Sequence, residues 1–302
     1  MPKRILLFVM TNILVIATIS IILSILGLRP YLTQHGIDYA TLALTCAIWG
    51  MTGAFISLLM SKVMAKMAMG VVIIHPEHMT RMEHELLDLV YRLATKAGLK
   101  TMPEVGIYPS PEVNAFATGP SKNNSLVAVS SGLLNTMSRE ELEGVLAHEV
   151  SHIANGDMVT MTLVQGIINS FSLFLSRIVA YAITIAMSKD DEKGAEIAHG
   201  TYYIISFILD ILFTVLGSML VAYYSRYREF RADHGGSRLA SREKMIAALT
   251  RLEYVSDIED DRAPAFANLK IAHHPSWLDI FSSHPPLNVR IAALRNSTKF
   301  QS

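Results

Sequence analysis

Cysteine is almost missing from this chain. Cys46 is the single one among 302 residues, so neither an intrachain disulfide nor a thiolate zinc cage can form. Charge is scarce as well: Asp, Glu, Lys and Arg make up 17% of the sequence, against about 25% in an average soluble domain. The 26 basic and 26 acidic residues cancel. That removes the basic excess a nucleic-acid footprint needs, and no nucleic acid is expected as a partner. Internal repeats and low-complexity tracts are absent too. Hydrophobic residues are in surplus at 51%, and a bilayer is where such a surplus fits.

Four apolar segments read as membrane spans. The first runs from about Ile5 to Leu28, bounded by Lys3 and Arg4 before it and Arg29-Pro30 after it; the second runs from about Tyr39 to Met60. Both are uncharged and near the ~20 residues that cross a ~30 Å hydrocarbon core. The first is too long for the apolar core of a signal peptide, and no small-residue cleavage site follows it. The third, about Val159 to Met187, contains Arg177, and the fourth, about Tyr202 to Tyr224, contains Asp210. A charge at that depth faces protein, water or a partner. The alternative for this second pair is a hydrophobic hairpin only partly in lipid.

Basic residues set the orientation. Lys3, Arg4, Lys62 and Lys66 flank the first pair on one side, and Arg226, Arg228 and Arg231 follow the fourth segment. The loop between the third and fourth segments carries Lys189 and Lys193 against Asp190, Asp191, Glu192 and Glu196. Both termini and both polar regions, Ala65–Met158 and Ser225–Ser302, are therefore expected on the cytoplasmic side. The chain divides as 1–64, an N-terminal transmembrane hairpin; 65–158, the first part of a polar domain; 159–224, a second transmembrane hairpin; and 225–302, the second part of that domain.

In the first polar region a helix is expected from Glu77 to about Ala97, closed by Gly98, with Leu86, Leu89 and Leu93 at helical spacing. Short extended pieces follow at Val105–Tyr108, Asn114–Thr118 and Leu126–Ser130, with Gly119 to Asn124 as a hairpin turn. Ser138-Arg139-Glu140-Glu141 is a capping box that opens a helix reaching about Ala154.

That helix carries His148-Glu149-Val150-Ser151-His152, the HExxH pattern. Histidines at i and i+4 share a face, so both imidazoles reach one ion. Zinc accepts imidazole nitrogen at about 2.0–2.1 Å and prefers four ligands. Glu149 points to the side where a zinc-bound water would lie, in position to take its proton. The third ligand is expected to be Glu229, in Arg228-Glu229-Phe230-Arg231-Ala232-Asp233. Asp233, at i+4 from Glu229, can accept the free N–H of a ligand histidine and fix its tautomer. Arg226, Arg228 and Arg231 read mainly as membrane-surface anchors. Two spans separate His152 from Glu229, and an even number of crossings returns the chain to the same side. Thr160 is eight residues after His152 and Tyr224 five before Glu229, which places the ion within about 10–15 Å of the membrane surface.

The sequence resembles the HtpX family of M48 zinc metalloproteases, bacterial inner-membrane relatives of the Ste24 proteases. The resemblance rests on Asn114 to Gly119 (NAFATG), Val145 to Asp157 (VLAHEVSHIANGD) and Ser225 to Gly235 (SRYREFRADHG), and extends over nearly the whole chain. It implies one zinc per chain, bound by His148, His152 and Glu229, with Glu149 as the base. It also implies a role in membrane-protein quality control under stress, in the bacterial inner membrane. The fold class that follows is a mainly α, multi-pass membrane protein. It has four transmembrane helices and a cytoplasmic α+β, zincin-like metalloprotease domain with a small β-hairpin or sheet.

Asn114 and Ala115 resemble the substrate-binding edge strand of thermolysin-like enzymes, where an extended peptide adds through backbone bonds; the alternative is an ordinary hairpin. His284, in His284-Pro285-Pro286 with Arg290 downstream, resembles a late motif in M48 relatives and can donate to the tetrahedral oxyanion; the alternative is a surface turn. His35, His75, His78, His84, His199, His234, His273 and His274 read as non-ligands. The function expected is an endopeptidase acting on unfolded or misfolded membrane proteins on the cytoplasmic side, with those clients and the bilayer as partners. The alternatives are an intramembrane protease, disfavoured by the polar capped segment before the histidines, and a zinc-binding scaffold or chaperone that holds clients without cutting, disfavoured by Glu149.

Overall fold

A computed structural model of the chain describes residues 2–27, 32–33, 36–77, 79–187, 194–262 and 282–296. His35, His78, His273 and His274 lie outside these residues. The elements in chain order are α1 (Pro2–Ile25), β1 (Leu32–Thr33), β2 (Gly36–Ile37), α2 (Tyr39–Met69), β3 (Val72–Ile73), α3 (Arg81–Lys96), β4 (Glu104–Tyr108), β5 (Ala115–Ser121), β6 (Asn124–Ser130), α4 (Ser131–Thr136), α5 (Arg139–Asn155), α6 (Asp157–Met187), α7 (Gly194–Leu239), α8 (Arg242–Arg262) and α9 (Leu287–Asn296). They form two compact units. One comprises Met1–Arg4, Leu58–Thr160 and Ala222–Ser302; the other comprises Ile5–Ser57 and Met161–Val221.

The second unit is, among the described residues, helical apart from the β1–β2 pair and the short turns beside it. Among the described residues, three helices are long and apolar enough to cross a membrane: Tyr39–Met69, Asp157–Met187 and Gly200–Leu239. The first expected span falls on α1, in which Ile13–Ile25 is a shorter apolar stretch among the described residues. Asp38 opens α2 by accepting from the backbone of Ala40 at 3.1 Å and of Thr41 at 3.3 Å. The two charges inside the second apolar pair meet each other: Arg177 Nη1 lies 2.9 Å from both carboxylate oxygens of Asp210. That pairing removes two uncompensated charges from an apolar setting. Beside it the Ser176 hydroxyl donates to the Ser206 carbonyl at 3.0 Å. Tyr203, Ile204, Phe207, Ile208 and Ile211 of α7 are exposed, as a lipid-facing surface requires.

The first unit holds a four-stranded mixed sheet of order β3-β4-β6-β5, in which β4 and β6 run parallel and the other pairs antiparallel. β5 is an outer strand. The helix expected from Glu77 begins instead at Arg81, because Thr80 is its cap: the Thr80 hydroxyl accepts from the Glu83 backbone and the Glu83 carboxylate accepts from the Thr80 backbone. The segment Gly119 to Asn124, expected as a turn, is mostly strand. β5 runs on to Ser121 through an irregularity after Thr118, where Gly119 takes φ 141°, and the turn is left to Lys122 and Asn123. α7 carries both the fourth expected span and Glu229 on one continuous helix.

Leu86, Leu89, Val90 and Leu93 of α3 join Val127 and Val129 of β6 and Leu146, Val150 and Ile153 of α5 in one buried core. The sheet and α3 thereby fix one side of α5. α8 covers another side: a Cβ at Gly144 would stand 2.8 Å from that of Ala248, so the two helices cross closely there. α9 extends this layer, with Met245 and Leu249 against Ile291 and Leu294.

Candidate active site

α5 is capped at both ends. The Ser138 hydroxyl accepts from the Glu141 backbone, the Glu141 carboxylate accepts from the Ser138 backbone, and Gly156 closes the helix in the left-handed region at φ 72°. Between the caps, His148 and His152 project from one face into a buried position, and their Nε2 atoms lie 3.0 Å apart. α7 delivers the third group. A Cβ at Gly235 would collide with the Ser151 hydroxyl, and one at Gly236 would stand 3.1 Å from the His148 backbone nitrogen. The two glycines therefore allow α7 to lie directly on α5. Glu229, fully buried, then has Oε2 3.4 Å from His148 Nε2 and Oε1 3.3 Å from His152 Nε2.

These separations suit a shared cation, since ligand atoms about 2.0–2.1 Å from a tetrahedral zinc stand roughly 3.3 Å from one another. A second observation agrees. Both Glu229 oxygens are buried without a hydrogen bond of proper direction, although imidazole nitrogens lie close. Among the described residues, His148, His152 and Glu229 are the group whose ligand atoms converge, all within 4.8 Å.

Each histidine is held from behind by an aspartate. Asp233 Oδ1 lies 2.9 Å from His148 Nδ1. Asp157 Oδ2 lies 2.7 Å from His152 Nδ1. Each aspartate in turn meets an arginine: Arg290 donates to Asp233 from Nε at 2.8 Å and Nη2 at 2.6 Å, and Arg231 Nη2 donates to Asp157 at 3.0 Å.

The electrostatics follow from this arrangement. Burial pushes the His148 imidazole down, but the carboxylates of Asp233 and Glu229 outweigh it and raise its pKa to about 9. Burial raises the Glu229 carboxyl, yet the adjacent imidazoles of His148, His152 and His284 outweigh it and hold the group far below the usual carboxylate range. For Asp233 burial is again outweighed, by Arg290 and His148, and its pKa is lowered.

The site opens on a cleft of about 200 Å³. His148, Glu149, Asn114 and Ala115 line it, together with the apolar side chains of Val145, Met245, Leu249 and Leu252. Asn114 is tied back by its carbonyl, which accepts from the Ser130 backbone at 2.9 Å, and Ala115 pairs with Val129. His284 is 62% exposed and reaches in with Nδ1 3.0 Å from Glu229 Oε2. Arg290 lines the same cleft and is buried.

The structure brings Asn114, Ala115, His148, Glu149, Glu229 and His284 to this cleft, with His152 and Asp233 against its histidine–glutamate cluster. Three more residues join them. Asp157 is five residues past His152, beyond a helix break, so no periodicity marked it. Arg290 appeared only as a residue downstream of His284. Arg231 was read as a membrane anchor, but its guanidinium meets Asp157; Arg226 likewise donates to the Ser282 carbonyl at 2.8 Å and Arg228 lies 3.5 Å from Glu229.

A family model described as Peptidase family M48 matches residues 80–298. The chain belongs to peptidase family M48. Taken with its apolar helices and its His-His-Glu cluster, this makes it a membrane-associated metalloprotease. M48 relatives align end to end. A protein named Protease HtpX homolog from Bacillus licheniformis is 52% identical over 97% of this chain and 99% of its own. Protease HtpX from Shewanella denitrificans is 51% identical over 98% and 100%. The crystal structure of S. mikatae Ste24p matches with a TM-score of 0.57 and 16% identity, over 97% of this chain. This chain spans 66% of that one, and the likeness is one of fold.

Proposed function

We propose that the protein is a zinc-dependent endopeptidase. It cuts extended segments of unfolded or misfolded membrane proteins on the cytoplasmic side of a bacterial inner membrane, as quality control under stress. The observation that carries this reading is the convergence of His148, His152 and Glu229 beside Glu149, in a cleft rimmed by an outer β-strand.

Zinc held by His148, His152 and Glu229 would supply a Lewis acid for the scissile carbonyl and acidify water at the site. The Glu149 carboxylate takes the proton of the attacking water. It then passes that proton to the departing amine nitrogen as the peptide C–N bond breaks. The β5 edge receives the substrate backbone as an added strand, which reads main chain more than side chains and suits varied unfolded clients. His284 donates to the oxygen that gains negative charge. Asp233 keeps the His148 imidazole oriented. The apolar wall of Val145, Met245, Leu249 and Leu252 accepts a large apolar side chain next to the cut. Four spans follow from the four apolar segments, and the basic flanks at Lys3-Arg4, Lys62-Lys66 and Arg226-Arg231 put both termini and both polar regions on the cytoplasmic side.

The activity is tested with the purified full-length protein and casein. Cleavage should stop with a chelator and return with zinc; cleavage indifferent to chelator would remove the metal from the account. The sidedness is tested with single cysteines in a Cys46→Ala background and an impermeant thiol reagent on intact cells. Positions Ser121 and Ser302 should be protected, and position Gln34 should react; labelling at Ser121 would reverse the orientation.

A further inference from the structure

The two metal-binding histidines are braced alike, but the braces come from different parts of the chain. His148 leans on Asp233 and Arg290. His152 leans on Asp157, whose Oδ2 is 2.7 Å from the imidazole Nδ1, while its Oδ1 accepts from Arg231 Nη2 at 3.0 Å. Asp157 is the first residue of α6 and only 1% exposed. A carboxylate so placed keeps its orientation only if both oxygens are held. The imidazole holds one and the Arg231 guanidinium the other. Arg231 sits on α7 two residues beyond Glu229. The same turn of α7 therefore supplies one ligand directly and supports another through Asp157.

We infer that Arg231 is a positioning residue of the metal centre, acting through Asp157 on His152. This rests on the reading of His152 as a zinc ligand. Its physical content is specific. With Arg231 in place, Asp157 points at Nδ1, the imidazole carries its proton there, and Nε2 presents its lone pair to the cation. With Arg231 removed, Asp157 is left with a single partner in a buried position and is free to turn away, and His152 loses its orienting acceptor. Partners of this kind typically cost about 10–100-fold in metal affinity or activity when removed.

The test uses the full-length protein in detergent and reads zinc affinity by competition with a chromophoric chelator, together with the visible spectrum of the cobalt-substituted protein. Arg231→Ala should weaken zinc binding about 10-fold or more and shift the cobalt bands. Arg238→Ala, at an exposed arginine on the same helix, should change neither. Arg231→Lys should recover part of the loss, because a point charge can still reach Asp157 but cannot match the planar guanidinium. In an Asp157→Asn background, Arg231→Ala should add less than a further twofold, as two residues acting through one contact are non-additive. Zinc affinity of Arg231→Ala within twofold of wild type would overturn the inference, and so would a full second loss in the Asp157→Asn background. Should the alanine variant not accumulate, Arg231→Gln, which keeps donors without charge, must still weaken zinc. Wild-type protein that binds no zinc would sink the metal-centre reading itself, a result distinct from wild type and Arg231→Ala binding zinc equally.

Discussion

Asp233 and Arg290 stand 57 residues apart in sequence and are joined by two hydrogen bonds, from Nε at 2.8 Å and Nη2 at 2.6 Å. Through this fork α9 is fastened to α7 directly behind His148. Arg290→Ala should leave a buried carboxylate with only His148 to hold it. We expect zinc affinity to fall by about 10–100-fold, and Arg290→Lys to recover little of it, since a lysine cannot reproduce a bidentate contact. Glu229→Ala should weaken zinc more than Arg290→Ala or Asp233→Ala. Chelator competition on the four proteins measures that order, and normal zinc binding by Glu229→Ala would place the third ligand elsewhere, with His284 next in line.

Gly235→Ala should strike the crossing that brings Glu229 to the histidines. Its new methyl meets the Ser151 hydroxyl, and overpacking of this kind costs about 1–3 kcal/mol. Thermal unfolding and zinc content should both fall. Adding Ser151→Ala takes away the colliding oxygen and should restore most of both; a double variant as impaired as the single one would refute the collision as the cause.

Zinc uptake should depend on pH with a defined sign. In the metal-free fold the His148 pKa is raised from its ordinary 6.5 to about 9, so at neutral pH a proton must leave before zinc can bind. Apparent affinity should then rise about tenfold per pH unit between roughly 7 and 9 and flatten above. The same shift stabilises the metal-free fold below pH 6.5, and that stabilisation is lost as pH rises through about 9. Asp233→Asn removes a cause of the raised pKa and should flatten the slope. Calorimetric proton release in two buffers reads it directly.

Peptides that differ only in the residue entering the apolar wall should be cut fastest when it is large and apolar, with kcat/KM changing about 10–200-fold per methylene-scale difference. Leu252 lines this wall and is half-buried, so Leu252→Asp should erase the preference while leaving zinc content intact. An unchanged preference would assign the wall no part in substrate choice.

How much of this was legible in the sequence depends on range. The capping box at Ser138, the histidine pair and the Glu229–Asp233 pair are all local, i to i+3 or i+4, and helical periodicity exposes them. The cost of a charge in an apolar run marked Arg177 and Asp210 one by one, but that they pair with each other comes from the packing of α6 on α7. The parallel pairing of β4 with β6, by contrast, is set by tertiary packing across an intervening strand, and no local pattern encodes it. Asp157 was hidden by the helix break at Gly156, which takes it out of the α5 period, and Arg290 by a separation that only the fold closes. The start of α3 was misplaced at Glu77 because the Thr80–Glu83 capping box, three residues further on, is what opens the helix. The turn after β5 was misplaced because a Gly-Pro pair marks a strand irregularity as readily as a loop.

The central claim is that Glu149 carries the proton in a zinc-dependent cleavage, and one variant tests it most directly. Glu149→Gln is nearly isosteric and keeps the side chain's shape but cannot accept the proton of water. Zinc content and casein cleavage should be measured on the same preparation. The account predicts full zinc occupancy with cleavage lowered at least 100-fold, in line with the ~10²–10⁴-fold contribution of a positioned general base. Cleavage within tenfold of wild type at full zinc occupancy would contradict it.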